Sequence, residues 1–283
     1  MAIRFGPAGI PLQCAGATTL DGVKCCAQIG LGAMEMEFVQ GVRLKEDSAK
    51  EVQKASEELD ISLSSHAPYF VNLCTSDPRK LANSKRHILQ SARITSIAGG
   101  GITVFHPGFY QKLSQKEAFD AAKNNLKEIE SELKSRGIKI RLGAETVGRK
   151  SAFGGLDENI KLSQELEMVV PAIDFAHLHA RGDFRINGEG DYRAIFSKLE
   201  RELPGYVKKF HCHFSEINYS AKGELNHYPL GTNNEPPFKP FMKVLVENGY
   251  SGTVICETPR LDIDALALMR EYTAKKSEFE KKK

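Results

Sequence analysis

Residues 139–148 read KIRLGAETVG. The run Lys139–Glu145 is a strand candidate, and it ends on a carboxylate, Glu145. Moving outward in both directions, the same arrangement recurs. Upstream, Ile102–His106 ends on His106 and Ser62–His66 ends on His66. Downstream, Val169–Asp174 ends on Asp174 with His177 close behind, Lys208–His213 carries His211 and His213, and Thr253–Glu257 ends on Glu257. The steps from His66 to His106, Glu145, Asp174, His213 and Glu257 are 40, 39, 29, 39 and 44 residues. Each is roughly one strand plus one helix.

Two further strand candidates, Ile3–Phe5 and Ala33–Phe38, complete a set of eight. Amphipathic runs lie between them, most clearly Arg79–Ala98, Gln115–Ser135, Asp157–Glu165, Asp191–Glu202, Pro237–Asn248 and Asp262–Lys275. Ser114 is a plausible N-cap, and Gly137 and Gly249 stand where a helix should stop. Strands alternating with helices predict a parallel sheet. Eight such units in 283 residues predict one closed (β/α)8 barrel, a TIM barrel, which takes about 250 residues. No Pro- or Ser-rich linker divides the chain, so residues 1–283 are read as one domain, with 276–283 a charged, solvated helix end. The absence of GxGxxG and GxxxxGK[ST] after an early strand argues against the common nucleotide-binding folds.

Composition narrows the class. Hydrophobic residues make up 41% and charged residues 27%, and the net charge is only +3, so overall basicity does not mark a nucleic-acid binder. No apolar run approaches the roughly 18 residues of a membrane span, and the amino terminus lacks the pattern of a signal peptide. The six cysteines form no CxxC pair, and their scatter predicts free thiols and a cytoplasmic protein.

The strand ends carry the chemistry. In a closed barrel they converge on the face where barrel active sites form. His, Asp and Glu together form a ligand set for zinc, manganese or iron. Any one of these histidines taken alone reads as well as a hydrogen-bonded structural residue. Six consecutive strand ends with the same ligand chemistry read as a cluster of divalent metal ions, which would neutralise carboxylates otherwise costly to bring together. His87 falls inside a helix and reads as packing or surface.

In order and at barrel spacing, HAPYFVNL at 66–73, VFHPG at 104–108, GAET at 143–146, IDFAH at 173–177, HFSE at 213–216, NHYPLG at 226–231 and ETPR at 257–260 resemble the endonuclease IV family of apurinic/apyrimidinic endonucleases. That family lies within the xylose-isomerase-like barrels, and the resemblance runs from about residue 3 to about 275. It implies two or three metal ions, usually Zn2+, with Mn2+ an alternative. His66, His106 and Glu145 would hold the first. Glu145, Asp174, His213 and Glu257 would hold the second, with Glu145 as the bridging, catalytic residue. His177 and His227 would hold the third. Where the family has Asp-x-His on the seventh loop, this chain has Leu225-Asn226-His227. Leucine cannot coordinate a metal. Glu224 and His179 are the substitutes within reach.

The implied reaction is hydrolysis of the phosphodiester 5′ to an abasic site in duplex DNA, by a monomer acting in base excision repair. Tyr69 and Phe70 would press into the duplex at the lesion, and Arg149, Lys150 and Arg181 are candidates for phosphate contacts. Two other functions fit the same residues: a sugar isomerase or epimerase using one metal, and a lesion-binding protein without catalysis.

Overall fold

The structure, a computed structural model, describes residues 3–14 and 16–282. Eight parallel strands form the barrel: β1 (Ile3–Pro7), β2 (Ala33–Glu37), β3 (Ser62–His66), β4 (Ile102–Phe105), β5 (Arg141–Glu145), β6 (Val169–Asp174), β7 (Phe210–Phe214) and β8 (Gly252–Cys256). Each pairs with the next in the chain from β2 to β8, and β8 pairs with β1. The seam between β1 and β2 closes through a bridge between Ala8 and Glu35 and through hydrogen bonds from Gly9 N to Glu35 O and from Gly32 N to Phe5 O. Gly6 sits at this seam. A Cβ there would come within 2.0 Å of Ala33 O, so only glycine lets the two strands approach.

The helices ring the barrel: α1 (Thr19–Gln28), α2 (Glu46–Glu58), α3 (Pro78–Ile97), α4 (Gln115–Ser135), α5 (Leu156–Glu165), α6 (Phe175–Arg181), α7 (Glu189–Glu202), α8 (Phe238–Glu247) and α9 (Leu261–Glu280). Their starts follow local chemistry. Ser114 and Glu117 form a reciprocal capping box on α4, as do Thr18 and Asp21 on α1. Asp77 caps α3 ahead of Pro78, whose missing N–H costs nothing at the first helical position. The charged tail expected at 276–283 is helical through Glu280 as the exposed end of α9; Lys283 lies outside the described residues.

Packing on the outer side of the barrel reaches the mouth. Phe175 is fully buried, packs at a tilt against Phe241 at 4.6 Å between ring centroids, and also touches Tyr192 and Phe196. Burying a ring of this size contributes on the order of 3 kcal/mol. Because Phe175 directly follows Asp174, the same packing fixes the turn from which Asp174 points.

Two features depart from the sequence expectations. Cys14 and Cys25 form a disulfide, because the loop after β1 folds back over α1 and brings their Cα atoms to 6.0 Å. Cys26, Cys74, Cys212 and Cys256 are free and buried. Two short antiparallel ribbons also cover the mouth, one pairing 108–109 with 152–153 and the other pairing 216–220 with 223–228. Among the described residues, no helix is long and apolar enough to cross a membrane.

Candidate metal centre

The strand ends converge as the parallel ring requires. Glu145, at the end of β5, is at the middle. Its Oε2 lies 2.8 Å from His66 Nε2 and 2.8 Å from His106 Nε2. Its Oε1 lies 3.0 Å from His213 Nδ1 and 3.4 Å from His177 Nδ1. Each oxygen therefore serves a different group of donors. Ligand atoms of His66, His106 and Glu145 fall within 4.8 Å of one another, as do those of Glu145, Asp174, His213 and Glu257. A third group, Asp174, His177 and His227, meets the same limit.

The imidazoles are aimed by what their outer nitrogens touch. His66 Nδ1 is 2.6 Å from Ala67 O, and His177 Nδ1 is 2.9 Å from Thr146 O. A carbonyl only accepts, so each Nδ1 carries the proton and each Nε2 is left for a ligand. His227 Nδ1 is engaged by Ser215 Oγ at 2.5 Å, which turns its Nε2 outward. Asp174 uses Oδ1 to accept from His177 N at 2.7 Å as the cap of α6, while its buried Oδ2 has no hydrogen-bond partner. A buried carboxylate oxygen left bare in this company fits a cation.

Charge gives the same answer. Burial alone would raise Glu145, but His106 and His213 hold its carboxyl well below the usual carboxylate range. Glu257 goes the other way. Burial, then Glu145 and Asp174 working against the pull of His213, push it well above that range. Against the effect of burial, the same acids push His66, His177 and His213 above the usual imidazole range, and bound divalent cations would take over that positive charge.

At Leu225, where the resemblance implies an aspartate, backbone geometry brings a different acid into place. In the ribbon, Asn218 faces Asn226 and Tyr219 faces Glu224, which leaves Leu225 as an extra, unpaired residue: a β-bulge. Glu224 and His227 are three apart, so in an unbroken strand they would point to opposite faces. The bulge shifts the alternation by one and puts both on the face toward α6. Glu224 Oε2 then reaches 3.1 Å from His177 Nε2 and accepts from Gly148 N at 2.9 Å, while Leu225 turns to solvent. Gly223 makes this approach possible, since a Cβ there would lie 2.1 Å from Gly148 O.

Other expectations are corrected. His179 is away from the centre: its Nδ1 accepts from Ile186 N, and its ring packs on Tyr219. Arg181 is buried, its Nη1 donating to Arg149 O and Ala152 O and its Nε to Asp183, so it clasps the 149–152 loop and is not free for a phosphate. Arg149 stands at the rim 3.5 Å from Glu224. Tyr69 lies over the His66 and His106 rings at 4.9 and 5.5 Å, and Phe70 is 58% exposed with its ring edge-on to His87. A cavity of about 350 Å3 opens onto the centre between Tyr69, His106, His177, Glu224, His227 and Glu257.

Sequence reasoning missed two acids. Glu35 faces the barrel interior, with Oε1 2.8 Å from His213 Nε2 and Oε2 2.9 Å from His211 Nε2. Glu37, at the end of β2 and paired in register with His66, has both carboxylate oxygens buried without a hydrogen-bond partner. The signal was present in AMEME at 33–37, where acids alternate with methionines on a strand.

Proteins of several descriptions are similar to this chain. A protein of uncharacterised function from Methanocaldococcus jannaschii is 38% identical over 269 residues, covering 95% of this chain and 96% of the relative. A probable endonuclease 4 from Mycoplasma genitalium is 25% identical over 218 residues, covering 73% of this chain and 70% of the relative. Among solved structures, a D-tagatose 3-epimerase-like protein superposes with a TM-score of 0.73 at 18% identity, covering 98% and 99% of the two chains; that likeness is one of fold alone. Residues 23–277, nearly the whole barrel, match one described family, and the 38% relative spans almost the same length. The chain belongs to the xylose isomerase-like TIM barrel family.

Proposed function

We propose that this protein is a metal-dependent endonuclease that hydrolyses the phosphodiester 5′ to an abasic site in duplex DNA. The observation that carries the reading is the split carboxylate of Glu145, one oxygen facing His66 and His106 and the other facing His213. That is the arrangement needed to hold two cations side by side, and paired cations suit in-line displacement at phosphorus. The 25% identity to a probable endonuclease 4 supports it.

His66, His106 and Glu145 would hold one ion, and Glu145, Asp174, His213 and Glu257 a second. His177, His227 and Glu224 are placed to hold a third. The donor set of imidazoles and carboxylates suits Zn2+ or Mn2+. When bound, such ions supply Lewis acidity toward phosphoryl oxygen and a nucleophilic water at neutral pH.

The chain's own residues supply the rest. Glu145 keeps two pockets in a fixed relation. Tyr69 and Phe70 stand exposed at the mouth, where an aromatic ring can replace the stacking lost when a nucleotide leaves the helix; extrusion costs least at a damaged site. Lys150 is exposed on the rim, where it can meet a backbone phosphate.

The test is incision of a duplex bearing one tetrahydrofuran abasic mimic, with Zn2+, Mn2+ or Co2+ supplied. Cleavage on the 5′ side with two or three ions per chain is expected. No incision with any of these metals overturns the reading.

A second reading is a sugar epimerase or isomerase using one metal. Glu145, Asp174, His213 and Glu257 alone make a complete single-ion set. Beside it, burial, opposed in part by His66, raises the unpartnered Glu37 carboxyl to about 7, a value suited to moving a proton at neutral pH. One ion per chain with epimerisation of a ketose, and no incision, would establish this reading instead.

A further inference from the structure

We propose that Glu37 is a specificity-determining residue that accepts a hydrogen bond from a sugar hydroxyl of the ligand bound at the metal centre. Glu37 is the last residue of β2 and is paired in register with His66 on β3. It stands two residues beyond Glu35 and so faces the same way, into the barrel, one layer nearer the mouth. Its surroundings leave it bare. Both carboxylate oxygens are buried without a hydrogen-bond partner. Among the described residues, Glu37 belongs to none of the groups whose ligand atoms converge within 4.8 Å, so it is not one of the acids that the metal pockets use.

A buried acceptor of this kind is costly until a donor reaches it. Space for one lies alongside. A cavity of about 760 Å3 opens between α2 and the loops that follow β1 and β2, lined by Glu37 with Thr18, Thr19, Gln40, Arg43 and Ser48. That is room for a sugar unit. Arg43 does not neutralise the acid: its Nη2 donates to Gln40 Oε1. The cavity adjoins the centre, because the charges of His66 and His213 act on Glu37. In a ring-closed abasic nucleotide within a strand, the 3′ and 5′ oxygens are esterified, so the one free hydroxyl is at C1′. An intact nucleotide carries its base there instead. A carboxyl oxygen accepts from a hydroxyl whether or not the acid is ionised, so the contact does not depend on titration. A site built around a hydroxyl rejects a ligand that lacks it, because the buried acceptor then stays unpaired. A free ketose carries hydroxyls of the same chemistry.

This inference rests on the proposed reading that the centre acts on a sugar-bearing substrate. The experiment compares kcat/KM of the metal-loaded protein on two duplexes. One holds a natural abasic site, made by excising a uracil, and the other its tetrahydrofuran analogue, which lacks the C1′ hydroxyl. The ratio of natural to analogue should be about 10–100 in the wild type. It should fall toward 1 in Glu37→Met, similar in volume but without an acceptor, and largely persist in Glu37→Gln, whose carbonyl still accepts. The number of ions per chain should match the wild type in both variants. A wild-type ratio near 1 overturns the proposal, and that measurement needs no variant. An equal loss on both duplexes in Glu37→Met marks a structural role and overturns it as well. Loss of an ion in Glu37→Met would make Glu37 a ligand and overturn it too. If the wild type incises neither duplex, the nuclease reading falls by itself. Calorimetric binding of D-fructose and its monodeoxy analogues then decides the inference: removal of one hydroxyl should weaken binding to the wild type by about 10–100-fold and to Glu37→Met hardly at all. No such hydroxyl overturns it.

Discussion

The centre has two halves built in different ways. The half around Glu145 hangs on the ends of barrel strands: His66, His106, Glu145, Asp174, His213 and Glu257 each stand at or just past the last residues of a strand whose register is set by parallel neighbours. The half around His177 hangs on a seven-residue helix and a two-stranded ribbon. Strand ends need only the barrel to bring their side chains together. The ribbon needed a bulge at Leu225, a glycine at 223 and a tie from Gly148 to bring Glu224 to the same place. The strand half should tolerate little chemical change, while the ribbon half should be adjustable in backbone as long as the face is kept.

The largest effect is expected at the join. Glu145→Gln removes the charge that serves both strand pockets, so incision should fall by at least about 10²-fold and metal content should drop, with the fold retained by circular dichroism. Incision near the wild-type rate would break the bridging role. Glu224→Ala should act on the ribbon half alone, releasing one ion per chain, leaving the other two, and lowering kcat by on the order of 10–100-fold. Unchanged stoichiometry would remove Glu224 from the third pocket.

Acidity adds a graded effect. In the metal-free protein, burial would lower the His66 pKa, but the hydrogen bond and charge of Glu145 raise it to about 10 from its ordinary 6.5. The stabilisation from this pair is full below 6.5 and is lost as pH rises through about 10. An ion must displace that proton, so apparent affinity in the first pocket should rise with pH from 6.5 toward 10, by up to about tenfold per unit. Chelator competition at pH 7 and pH 9 reads this directly, and a flat profile contradicts it.

The smallest effect is the sharpest test of the ribbon. Deleting Leu225 removes the bulge and leaves Glu224 two residues before His227, so regular alternation again puts both on one face. The deletion should keep the metal count and change incision only a few fold. Leu225→Asp, by contrast, puts an acid on the solvent side and should not restore an ion lost in Glu224→Ala.

Much of this was legible from residue order. Eight β-rich runs separated by helical ones predicted the barrel, and the six that close on His, Asp or Glu marked the candidate strand-end ligands, because a parallel ring leaves those ends nowhere else to go. The ribbon half was not legible. A residue count makes Leu225 the misplaced ligand and Glu224 the wrong parity, and only the pairing of Tyr219 with Glu224 shows that the count slips by one. Arg181 and His179 looked like site residues because sequence carries charge but not burial; the fold spends Arg181 on loop carbonyls and His179 on Ile186 N. The Cys14–Cys25 pair and the Glu35–His211–His213 contact join residues that meet only when the loop after β1 folds over α1 and the barrel closes. Sequence thus determined what depends on local periodicity and order. Tertiary structure decided what depends on parity at an irregular strand, on burial, and on contacts across the barrel interior, because each of these is set by a partner distant in the chain.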